Sequence, residues 1–159
     1  MAKNDEYVLR GQRVNQMNPL AIEQAAKRAM SIMDINKRSV NSMDVFIEDL
    51  WINYRINVEI HEDKEWFGFA EALCDPSTFT ISMPDELYNR VTGLKDRNAL
   101  FIFFHELGHL LLGHKPALHY SLFPATKYED AEWQADFFAE IILDKLGLVG
   151  GKQLKLILE

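Results

Sequence analysis

The stretch FFHELGHLLLGHKP, residues 103–116, sets His105, Glu106 and His109 in the most apolar part of the chain, with His114 just beyond. Ionisable groups are costly to bury alone, so such a cluster must be neutralised, hydrogen-bonded or bound to something. The apolar period predicts a helix over roughly Arg97 to Leu112. On that helix His105 and His109 lie one turn apart on one face. Two imidazole nitrogens so placed can hold one tetrahedral cation. Glu106 points about 100° around the helix. It is too far round to be an equivalent ligand, yet it can reach a water on the open side of a metal. This is the chemistry of H-E-x-x-H: two ligands and a general base for metal-activated water. The bland alternative is a hydrogen-bonded histidine pair in a core, and mid-helix burial of an unmetallated His-Glu-His cluster weighs against it.

The neighbours of the motif carry further information. Gly108 costs about 1 kcal/mol relative to alanine inside a helix, which points to close approach of another backbone beside the metal. Gly113 matches a helix C-cap, with Lys115 and Pro116 as stop signals. A metzincin pattern would put its third histidine at position 115, which is lysine, so His114 reads as a helix-end residue and not as a ligand.

A catalytic zinc site usually takes three protein ligands and leaves one position open. Candidates for the third lie in KYEDAEWQADFFAE, residues 127–140. Thr126 to Glu129 reads as a capping box, which gives Glu129 a structural role and predicts a helix from about Lys127 to Leu146. Glu132 lies at the edge of the face formed by Ala131, Ala135, Phe138, Ile142 and Leu146, with Asp136 one turn later. The residues alone allow two readings. Glu129, Glu132, Asp136, Glu140 and Asp144 can form a solvated acidic stripe, or Glu132 can supply the third ligand while Asp136 holds a ligand histidine. An upstream H-E-x-x-H in need of a third ligand favours Glu132.

Composition bounds the rest. A chain of 159 residues fits one domain, and 48% hydrophobic with 26% charged residues is an ordinary globular mixture. A net charge of -7 argues against a general grip on nucleic acid. Residues 1–55 carry eight basic and seven acidic side chains, a weak footprint for DNA even though two helices lie there. Cys74 is the only cysteine, so neither a disulfide framework nor a thiolate zinc site is available. With no signal peptide and no apolar run long enough to span a bilayer, a cytoplasmic protein without membrane contact is expected.

Residues 1–17 are polar and read as a flexible lead-in to a single domain over 18–159. Asn18-Pro19 marks a helix start, with that helix running to about Ile35 and a second from about Ser42 to Arg55. Alternation in 57–61 and 78–83, with 68–73 between them, predicts a small, mostly antiparallel sheet of three strands. Pro84 opens a short helix ending near Gly93, and KQLKLILE reads as a short closing helix. Helices around a small sheet make an α+β domain.

HELGHLLLGH followed by EWQADFFA resembles the ImmA/IrrE family of metallopeptidases, which pairs an H-E-L-G-H helix with an E-x-x-A-[ND]-x-F-A helix. The paired helices upstream, the small sheet and the Met83-Pro84-Asp85 turn fit the same pattern, so the resemblance covers roughly residues 40–145. The resemblance implies a zincin-like fold and a gluzincin-like site. In it His105, His109 and Glu132 hold one catalytic Zn²⁺, Glu106 is the base and Asp136 supports a ligand. It implies an endopeptidase acting on a partner regulatory protein such as a DNA-binding repressor, in mobile elements or stress responses. Phe101 to Phe104 are bulkier than that family's usual F-T-L-A. The alternative is a metal-stabilised binding protein that sequesters a repressor or toxin partner without cutting it. An extended substrate is expected to pair with the strand over Thr78 to Met83. Oligomeric state and the residues that bind substrate are not legible.

Overall fold

The computed structural model describes residues 6–66, 68, 70–93, 96–115 and 123–148. KQLKLILE lies outside them. Six α-helices and a three-stranded sheet make up this part of the chain, an α+β fold. The order is α1 (Pro19–Ile32), α2 (Lys37–Val40), α3 (Met43–Tyr54), β1 (Asn57–His61), β2 (Leu73–Asp75), β3 (Thr80–Pro84), α4 (Asp85–Gly93), α5 (Arg97–Leu111) and α6 (Ala131–Lys145). Among the described residues no helix is long and apolar enough to cross a membrane.

Local chemistry fixes most helix ends. The Asn18 side chain accepts from the Ala21 amide at 2.8 Å, with Pro19 at the first helical position, and Asp96 does the same for Ala99 at 3.1 Å. The start of α6 differs from expectation. Glu129 reaches back towards the Thr126 amide at 3.4 Å, but that contact closes only a single 3-10 turn, Lys127–Glu129. The long helix begins after it, where Asp130 caps the Glu132 amide at 3.0 Å.

The sheet has the order β1-β3-β2. β2 and β3 form an antiparallel pair across an Asp75 turn, in which the Ser77 amide and hydroxyl both donate to the Asp75 carboxylate. β1 pairs with β3 in parallel over five residues, from Asn57↔Thr80 to His61↔Pro84. The sheet is therefore mixed where a mostly antiparallel one was expected. The hairpin turn fixes only the β2–β3 direction, and β1 joins the opposite edge of β3. β3 is central and paired on both sides, so Thr78 to Met83 cannot take up a substrate strand.

The core lies where α5 and α6 pack on each other, backed by the sheet and by α1. Phe103, Phe104, Leu107, Phe138 and Ile142 are fully buried there. Residues expected to form a flexible lead-in make specific contacts from Tyr7 onward. The Val14 amide donates to the Glu129 carbonyl at 2.8 Å, the Ala131 amide to the Gln12 carbonyl at 3.1 Å, and Val14 is buried. These bonds lay residues 7–17 along the entry to α6.

Candidate metal centre

α5 carries His105 and His109 one turn apart, and α6 lies against that face. The α6 side brings Glu132 to both rings: its carboxylate oxygens stand 2.9 Å from His105 Nε2 and 3.3 Å from His109 Nε2. The two Nε2 atoms are 3.1 Å apart. Two imidazole nitrogens and a carboxylate thus converge, and His105, His109 and Glu132 form the one group that could hold a metal among the described residues. Bonds of ~2.1 Å in a tetrahedron require donors about 3.4 Å apart. The observed triangle is close to that size, and its chemistry (two imidazoles and a carboxylate) suits zinc.

Glu106 is buried and lines the same cleft, a cavity of about 540 Å³. Burial raises its carboxyl above the usual range, opposed by the charges of His105 and His109. Asp136 accepts from His105 Nδ1 at 2.7 Å, so the ring's other nitrogen is the one that faces Glu132. Burial works against a charged His105, but hydrogen bonds to Asp136 and Glu132 outweigh it and hold the imidazole up at about 10. Glu132 is held well below the usual carboxylate range, first by the His105 ring bonded to it and then by the neighbouring His109 ring.

The acidic-stripe reading of α6 does not describe the fold. Glu132 and Asp136 both face the histidines, and Glu140 is buried against Arg97 at 2.7 Å. Glu129 pairs with Arg13 at 2.5 Å, away from the cluster. Gly108 does make room for a neighbour, though not for a backbone: a Cβ there would lie 2.9 Å from the Phe138 ring. Small Gly108 and flat Phe138 thus let α5 and α6 approach next to His105, His109 and Glu132.

Several participants escaped sequence reading. Arg10 bonds the second oxygen of Asp136 at 2.9 Å, and a Cβ on Gly11 would lie 2.6 Å from Glu132 Cγ. Both sit more than 120 residues before their partners, and no local pattern announces such contacts. The Asp130 carboxylate, fully buried, accepts from the Tyr7 hydroxyl at 2.6 Å and the Arg10 amide at 2.8 Å, fastening this segment beside the site. His114 does lie at the end of α5, as expected, but its ring is buried against His109 and Gln134, a contact that the helix-end reading did not include. The glycine before it was a usable signal, since a left-handed C-cap folds the next residue back onto the helix. The cleft is also lined by Leu73 and Cys74, so β2, not β3, is the strand beside the cluster.

A family model described as Peptidase U49 matches residues 14–148. Curated proteins and solved structures give no match. The matched span contains α5, α6 and every residue of the cluster. It indicates a peptidase family, although not specifically the ImmA/IrrE family that the two helix motifs resemble, and it implies a protein or peptide substrate. On this match, which runs through nearly all of the described chain, the protein belongs to the Peptidase U49 family.

Proposed function

We propose that the protein is a zinc-dependent endopeptidase. The observation that carries this reading is the convergence of His105 Nε2, His109 Nε2 and the Glu132 carboxylate within 3.3 Å of one another, beside a cleft. These three residues would hold the ion, and the donor set favours zinc over harder cations. Zinc in such a site supplies an acidified water, with a pKa of ~7, and polarises a carbonyl.

The remaining work falls to side chains. Glu106 takes the proton of the attacking water at its carboxylate and returns it to the leaving amine nitrogen. Its raised pKa suits that exchange, because the carboxylate of a strongly acidic group would be too weak a base to take the proton from water. Asp136 keeps His105 oriented, and Arg10 keeps Asp136 oriented. An extended substrate fits the outer edge of β2, which among the described residues pairs only through β3. The likeness of HELGHLLLGH and EWQADFFA to ImmA/IrrE sequences supports a regulatory protein such as a DNA-binding repressor as the target.

The test is a mass-spectrometric search for new N-termini after zinc-loaded protein meets a complex protein mixture, with Glu106→Gln as the blank. New termini with the wild type alone support the reading. Zinc-loaded protein that binds a partner yet leaves no new termini would hand the assignment to the non-catalytic binding protein.

A further inference from the structure

The two ligand histidines are supported differently. His105 leans through Nδ1 on the Asp136 carboxylate, whereas His109 leans through Nδ1 on another imidazole, that of His114. There a chain of neutral groups runs inward, and its bonds fix the direction of every proton.

The chain starts at Gln134, which is 1% exposed. Its Nε2 lies 2.9 Å from the Asn15 carbonyl and 2.6 Å from the Tyr128 carbonyl. Carbonyl oxygens only accept, so this atom is the amide NH₂ and the opposite atom is the oxygen. That oxygen stands 2.7 Å from His114 Nε2, which must therefore carry a proton. His114 is buried, with Gln134 and His109 as its hydrogen-bond partners and no carboxylate bonded to it, so it is the neutral form that fits. Its Nδ1 is then bare and accepts. The atom facing it at 2.8 Å is His109 Nδ1, which donates. In its neutral form, an imidazole that carries its proton on Nδ1 keeps its lone pair on Nε2, the atom 3.1 Å from His105 Nε2.

We propose that Gln134 and His114 are positioning residues that hold His109 in the Nδ1–H tautomer, leaving its Nε2 free for a metal. The role in metal binding rests on the zinc reading above, but the tautomer itself does not. The backbone is built for the relay. Gly113 sits at φ +65°, the left-handed region that glycine adopts without strain. The Gly113 amide then bonds the Leu110 carbonyl and the His114 amide the His109 carbonyl, each at 3.1 Å. That pairing is a Schellman cap, and it lays the His114 ring against the His109 ring five residues back. The cap that ends α5 thus also supplies the support for its second ligand. Asn15, in the segment ahead of α1, and Tyr128, ahead of α6, anchor the far end.

The test begins with side-chain ¹⁵N NMR of the ¹⁵N-labelled, metal-free wild type near neutral pH. The expected spectrum shows a proton on His109 Nδ1 and on His114 Nε2, with a coupling across the Nδ1···Nδ1 hydrogen bond. A bare Nδ1 on His109 overturns the proposal. Zinc affinity by chelator competition follows, comparing wild type with His114→Phe, which fills the space but cannot accept. Loss of an outer partner typically weakens binding 10–100-fold, and that loss is expected. A folded His114→Phe that binds zinc within twofold of wild type overturns the role. If that variant does not fold, the wild-type spectrum decides alone. A wild type that binds no zinc but shows the expected tautomers would sink the metal reading and leave the relay standing.

Discussion

The seam between α5 and α6 and the three-stranded sheet are built on different terms. Along the seam nearly every ionisable side chain meets a partner from the other helix: His105 with Glu132 and Asp136, His114 with Gln134, Arg97 with Glu140. Fully buried Phe103, Phe104 and Phe138 pack between these pairs. The sheet has only three residues in β2, and Leu73 and Ile60 remain substantially exposed. A dense seam can hold four or five side chains to the tolerance that catalysis needs. A short, half-open sheet cannot, but it can offer a backbone edge. Under the proposed function the chemistry would belong to the seam, and the sheet would supply a strand edge for substrate.

This contrast can be broken in stages. The largest effect should come from the seam's chemical residue. Glu106→Gln is expected to lower turnover by roughly 10²–10⁴-fold with melting temperature and zinc content unchanged; wild-type turnover in this variant would remove Glu106 from the mechanism. Phe138→Ala, emptying a fully buried site, should cost about 3–5 kcal/mol in denaturant unfolding. A loss near zero would mean that the seam is less tightly packed than its burial indicates.

Gly108→Ala gives a finer reading. Helix propensity alone favours alanine by about 1 kcal/mol, while a methyl 2.9 Å from the Phe138 ring costs about 1–3 kcal/mol in a packed core. The expected net is a modest destabilisation, reversed when Phe138 is shortened to leucine. In the sheet, exposed Leu73→Ala should stay within about 0.5 kcal/mol of wild type.

The smallest effect is expected at Cys74 of β2. Burial first, then the charges of Glu106 and Asp75, push its thiol up to about 12. A raised thiol pKa keeps the group protonated below that value, so alkylation at pH 8 should be very slow in the folded protein and fast in denaturant. Rapid alkylation of folded protein would show that this strand opens readily.

The same contrast explains what could be read in the sequence. Helix ends and helical spacing are local, so Asn18-Pro19, Gly113 and the His105–His109 turn were legible, and Glu132 with Asp136 followed from a second helix of the right pattern. The sheet depends on distant pairing. β2 lies at Leu73–Asp75 where a strand was expected over 68–73 between the two alternating runs, and β3 turned out to be central. The site's outer supports were hidden for a similar reason. Arg10, Gly11 and Asn15 reach Asp136, Glu132 and Gln134 from the far end of the chain, and Gln134 looks in sequence like any polar helix residue.

The central claim is that His105, His109 and Glu132 hold one metal ion, and metal content tests it most directly. Wild type, Glu132→Ala and Glu129→Ala would be purified from zinc-replete cultures and analysed by elemental mass spectrometry. One zinc per chain in wild type and Glu129→Ala, with little or none in Glu132→Ala, is the predicted result. A metal-free wild type, or zinc retained equally in all three, would contradict the assignment.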